Sequence, residues 1–215
     1  MTDYIAGGRR VSEVPRTTVA RGDDGIARAL SLRVGRPAAL WGMAVLIASE
    51  ATLFGCLTGT YFFLRFSTRV WPPDGIPRPA VVGPLVAALL LASSSIPMQL
   101  ASDAGRHGRA AAARLYVLTA LVIQTGYFAY AVHDYSAQIH TFDITRDAYS
   151  SIYYTMLGAD HAHILVGLLF DVWLLWKLAR GLTTYRVNAL QAITWYWHAV
   201  NVITLAVTAT LLSAA

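Results

Sequence analysis

Cysteine is nearly absent: Cys56 stands alone in 215 residues. That excludes a disulfide framework and any cysteine-rich metal or iron–sulfur site. Charge is scarce as well, at 13% of residues against roughly 25% in soluble domains. No glycine-rich phosphate loop is present, no Ser/His/Asp set with a defensible spacing, and no nucleic-acid module. The net charge of +5 is therefore not a nucleic-acid signal, because the Lys and Arg residues sit in tails and loops. The first apolar run is too long for the short core of a secretory signal.

What is there is apolar, 56% of the chain. Five runs, about 40–66, 80–101, 111–132, 152–179 and 189–213, are each long enough to cross a hydrocarbon core of ~30 Å as a helix. The expected fold is an all-α integral membrane bundle of five transmembrane helices. Two regions follow: a polar, Arg-rich cytoplasmic tail over residues 1–38 and a five-helix transmembrane domain over 39–215. With the N-terminus inside, thirteen of the 17 Lys and Arg residues fall on the inner side and four on the outer. The positive-inside rule then predicts a cytoplasmic N-terminus and an external C-terminus.

The first outer loop, WPPDGIPRP (Trp71–Pro79), is stiffened by its prolines and places Trp71 at the membrane interface. The second, about His133–Ser151, carries Asp134, Asp143 and Asp147. This acidic face either docks a basic soluble partner or is an ordinary solvated loop.

The polar residues inside the spans carry the functional question. Glu50 lies mid-span in LWGMAVLIASEATLFGCLTGTYFFLRF, where a charged group costs about 2.5–3.5 kcal/mol on insertion scales. It must face other helices or stay protonated, as a structural hydrogen-bonding group or a functional carboxyl. Ala51, Gly55 and Gly59 share one face and predict close approach of a second backbone. Ser93, Ser94 and Ser95 precede Pro97, which predicts a kink satisfied by hydroxyls. Gln124 reads as a single structural contact. In GADHAHILVGLLFDVW, Asp160, His163, Gly167 and Asp171 form one stripe, and His161 points the opposite way. Asp160 is one turn from His163, within reach of a hydrogen bond. In WYWHAVNVITLAVTATLL, Thr194, His198, Asn201 and Thr208 share a face, with Trp195 and Trp197 expected at the interface. Three polar rows in lipid should converge inside the bundle. His161, His163 and His198 show no repeated spacing, so no metal site is expected.

The ordered set WGMAVLIASEATLF, a WPP loop, a serine-rich second span, HILVG and WYWHAVN resembles subunit III of the haem–copper oxidases. Within that family it is similar to the cytochrome c oxidase branch, in the five-helix bacterial form that lacks the first two helices of the seven-helix version. Ser49-Glu50 matches the family's Ser-Glu pair. His163 and Gly167 match its later His and Gly, and Trp197-His198 its last-helix Trp-His. Asp160 stands where a His is usual and Asn201 where an Asp is usual. Asp134-Tyr135 sits at a common Glu-Tyr, with Ala131 replacing the Gln before it. These departures mark a divergent branch.

The resemblance implies a chain with no catalytic residues and no cofactor of its own. Haem and copper would belong to partner subunits I and II, with subunit I as the main packing partner. It implies a multi-pass protein of a bacterial plasma membrane, supporting proton uptake, phospholipid binding and complex stability in a proton-pumping enzyme that passes electrons from cytochrome c to O2. Glu50 would be a proton-buffering buried carboxyl. Asp160, His163, His198 and Asn201 would form the polar interior or contact lipid headgroups. The alternatives are a quinol oxidase or nitric oxide reductase component, a stand-alone proton or solute transporter, and a small haem-b protein.

Overall fold

A computed structural model describes residues 38–78, 80–140 and 142–214. Apart from Ala38, the tail expected over 1–38 lies outside the described residues. Among the described residues, six helices make five apolar spans: α1 (Ala38–Ser67), α2 (Val82–Ser93), α3 (Ser95–Arg106), α4 (Ala110–Ile139), α5 (Ala148–Leu178) and α6 (Thr184–Leu212). α2 and α3 together form the second span, so five segments are long and apolar enough to cross a membrane. The protein is an all-helical membrane bundle, as its sequence predicts.

The second span breaks at Ser94 for a local reason. Pro97 has no N–H to give the Ser93 carbonyl and crowds it sterically. The Ser94 N–H tightens onto the Leu91 carbonyl at 2.9 Å, and the Ser93 hydroxyl donates to the Leu90 carbonyl at 2.6 Å.

α6 is the hub, packed against α1, α2, α3 and α5. α4 packs on α2, α3 and α5 and closes a ring of four spans, while α1 lies outside that ring on α5 and α6. α1 is apolar all round, and only Leu40, Phe54 and Tyr61 of it are buried. In a bilayer its remaining surface faces lipid or another chain. The Ala51–Gly55–Gly59 row is on that uncovered surface. No atom lies within 4 Å of where a Cβ on Gly55 or Gly59 would stand. The close second backbone expected there is not supplied by the described part of this chain.

Helix ends are secured by side chains. Asp147 caps α5 by accepting from the Ser150 N–H at 2.8 Å, and Asp143 accepts from the Thr145 N–H at 3.1 Å in a local turn. Two of the three acids read as either a docking face or an ordinary solvated loop are therefore tied into local backbone structure. The third, Asp134, belongs to α4, because the connection is only residues 140–147. At the other end of α5, Arg114 Nε donates to the Leu178 carbonyl, and Arg186 Nη1 donates to the Arg180 and Gly181 carbonyls, each at 2.8 Å. The proline-rich connector is pinned by Trp71 Nε1 donating to the Tyr61 hydroxyl at 3.1 Å, with Tyr149 edge-on to the indole. Arg146 Nη2 donates to the Asp74 carbonyl at 2.8 Å and ties the two loops at that end together.

Candidate functional site

Each polar row meets a specific neighbour. Glu50 on α1 and His163 on α5 come together at 2.6 Å, Oε2 to Nε2. The other ring nitrogen, Nδ1, lies 2.6 Å from the Ala159 carbonyl, an acceptor, so Nδ1 carries a hydrogen. One further proton then lies between Nε2 and Glu50. It sits on the carboxyl, which donates to a neutral ring, or on the ring, which donates to a carboxylate. Either way the pair is neutral as a whole, the state that costs least inside a bilayer. Phe54 packs edge-on to the imidazole, with centroids 5.3 Å apart. The Tyr196 hydroxyl donates to the His163 carbonyl at 2.7 Å and holds that turn of α5 to α6. Both members of the pair remain about one-fifth exposed, 20% for Glu50 and 21% for His163, so the pair lies at the outer edge of the bundle.

Asp160 does not hydrogen-bond His163. Its Oδ1 accepts from the Thr204 hydroxyl of α6 at 2.7 Å, in full burial. The single turn between Asp160 and His163 sends them to different helices, one to α6 and one to α1. Thr204 lies three residues after Asn201 and so near its face, a spacing from which it could have been picked out.

A second set of contacts fills the four-span ring. Asn201 Nδ2 donates to Ser95 Oγ at 2.8 Å and to Ser94 Oγ at 3.3 Å, so the serines at the helix break also anchor α6. One turn earlier, His198 Nε2 donates to Gln99 Oε1 at 3.3 Å, on the exposed side of the helices rather than in the polar interior expected for it. With its side-chain amide turned so that the N–H groups face acceptors, Gln124 Nε2 donates to Asp171 Oδ2 at 2.7 Å and to the Ala120 carbonyl at 3.1 Å. Gln124 and Asp171 are both fully buried. Asp171 also interacts with the Trp197 indole N–H, at a geometry short of a full hydrogen bond. Gln124 is therefore the partner of a buried carboxyl, a pairing that spacing along one helix does not reveal.

Trp197 is fully buried rather than interfacial. Gly167 makes the room: a Cβ there would lie 2.6 Å from the indole ring. His161 faces away from His163, as its spacing predicts, and packs edge-on to Tyr135 at 5.6 Å. Among the described residues, no three His, Cys, Asp or Glu side chains converge on a point that would hold a metal ion.

Chemically, the arrangement offers one proton-sharing pair at the edge of the bundle and two fully buried carboxyls with neutral donors. The family described as "Cytochrome c oxidase subunit III" matches residues 32–212. The cytochrome c oxidase subunit 3 of Synechocystis is 25% identical over 167 residues, which cover 76% of this chain and 70% of that protein. That of Bacillus subtilis is 26% identical over 165 residues, covering 75% and 79%. The probable cytochrome c oxidase subunit 3 of Nocardia farcinica is 26% identical over 173 residues, covering 79% and 85%.

Proposed function

Because the chain belongs to the cytochrome c oxidase subunit III family, we propose that it is the non-redox integral subunit of a proton-pumping terminal oxidase. Subunits I and II carry the haem and copper that pass electrons from cytochrome c to O2. This chain packs on subunit I through apolar helix surface that its own helices leave open, α1 above all. It lies in a bacterial plasma membrane with its N-terminus in the cytoplasm and its C-terminus outside. Its work is to stabilise the complex, hold phospholipid and support proton uptake.

The observation that carries this reading is the Glu50–His163 pair. A carboxyl and an imidazole that share one proton can take up a second or release the one they share, and either change leaves a single net charge rather than two. Their position at the bundle edge leaves that proton open to a polar group of a neighbouring chain or a lipid headgroup. Asp160 and Asn201 hold the helices that position the pair and form the polar interior, while His198 pairs with Gln99 on the exposed side.

The test is purification of the tagged chain in mild detergent, with identification of co-purifying proteins and reduced-minus-oxidised spectra. Larger haem-bearing membrane subunits in stoichiometric amounts, with a colourless isolated chain, are expected. A chain that purifies alone and conducts protons in vesicles would overturn the reading.

A further inference from the structure

A cavity of about 300 Å³ lies at the end of the bundle that bears the proline-rich connector. It is separate from the Glu50–His163 pair, which does not line it. Its one carboxylate is Asp134 of α4, oriented by Gln138 Nε2 at 2.5 Å. Gln138 is itself held by the Tyr153 hydroxyl, which donates to its Oε1. Asp134 forms no ion pair with a described cation, Arg78 included, although Arg78 lines the same cavity. A half-buried carboxylate with one neutral donor keeps most of its acceptor capacity free and lacks a counter-charge. Among mostly apolar walls stand four tyrosines, Tyr127, Tyr130, Tyr149 and Tyr153, whose rings favour a cation, and the ring of His161.

The geometry points to a binding site for a primary ammonium group, with Asp134 as its counter-ion. The depth fits a lipid-borne amine. Asp134 is five residues from the end of α4, about 7–8 Å at the helical rise, and the 30-residue α4 outreaches a ~30 Å hydrocarbon core. Asp134 therefore sits near headgroup level, and the cavity runs from there past Tyr127 to His161, deeper in the bundle. Arg78 is placed to meet a phosphate. Below the mouth, Val82, Val86 and Leu89 expose an apolar face of α2 along which acyl chains can lie. A free amine of the same chemistry is the other source.

The experiment uses the intact complex carrying the chain, stripped of lipid by detergent. Native mass spectrometry counts bound phosphatidylethanolamine, phosphatidylcholine and phosphatidylglycerol of equal chain length, and calorimetry follows free ethanolammonium. Wild type should hold one more phosphatidylethanolamine than Asp134→Asn, with affinity in the variant down about tenfold or more. Arg78→Gln should weaken the lipid and leave ethanolammonium unchanged. Ala131→Phe, which fills the cavity wall, should abolish both and stands in should Asp134→Asn fail to assemble. Asp134-dependent binding of ethanolammonium without the lipid would support the site with a free amine as its source. Equal retention of phosphatidylglycerol, or binding undiminished in both Asp134→Asn and Ala131→Phe, would overturn it and leave a cavity that holds only water.

Discussion

The indole of Trp197 on α6 occupies the space that a side chain at Gly167 on α5 would fill. A Cβ there would stand 2.6 Å from one ring carbon and 2.9 Å from the next. Such distances require a backbone shift, because a fully buried tryptophan has nowhere to retreat. Gly167→Ala should therefore lower stability by about 1–3 kcal/mol despite its gain in helix propensity. A thermal melt of the purified complex measures this. Trp197→Phe should recover part of the loss in the double variant, since the smaller ring leaves room. A Gly167→Ala protein as stable as wild type would mean that α5 and α6 are less closely packed.

The proton shared by Glu50 and His163 gives a second prediction. In Glu50→Gln the amide N–H still donates to Nε2 of a neutral ring, so the link between α1 and α5 survives. What is lost is the capacity to exchange a proton. Assembly should be intact, with sustained turnover falling more than the initial rate. His163→Leu removes the partner and leaves an isolated acid in the bundle edge, so it should reduce both assembly and turnover. Oxygen-consumption traces and subunit yield separate the two. Immediate loss of all electron transfer in Glu50→Gln would contradict a supporting role.

Thr204 is the only described side chain that hydrogen-bonds Asp160. Thr204→Val keeps the volume and removes the hydroxyl, leaving a fully buried carboxyl without its donor, at a cost of about 1–3 kcal/mol. Thr204→Ser keeps the donor and should cost much less. In a double-mutant cycle with Asp160→Leu, which has no acceptor for the hydroxyl, the two changes should be non-additive, since each removes the same contact. Additive losses in the melting curves would place Asp160 with a different partner.

These three cases also show what a linear sequence carries and where it stops. The spans were legible because some twenty apolar residues in a row have few alternatives to crossing a bilayer. Their ends were not: α4 runs on to Ile139 and α5 begins at Ala148, because polar residues at headgroup depth stay helical without staying apolar. Helical spacing put Glu50, His163, Asp160 and Asn201 on faces, and it correctly separated His161 from His163. It could not name partners, since a face is shared by every helix packed on it. Asp160 was within reach of His163 along the chain, yet Thr204 across the interface holds it. Trp197 looked interfacial beside polar neighbours, and only the gap at Gly167, thirty residues away, explains its burial.

The turn after α5 offers a test in which charge and hydrogen bonding separate. A helix C-terminus leaves carbonyls without partners and carries partial negative charge. Arg186 places its charge beside this end and secures the turn that follows it, since one nitrogen, Nη1, donates to the Arg180 and Gly181 carbonyls at 2.8 Å each. Arg186→Gln should cost about 1–2 kcal/mol, because the neutral amide replaces neither the charge nor the reach. Arg186→Lys keeps the charge and three donors on a point ammonium, so it should recover part of that loss but not all. Limited proteolysis within residues 179–183, alongside the melting temperature, reads the effect at the turn itself. Cleavage equal in the Gln and Lys variants would mean that the bonded geometry, rather than the charge, secures this end of the helix.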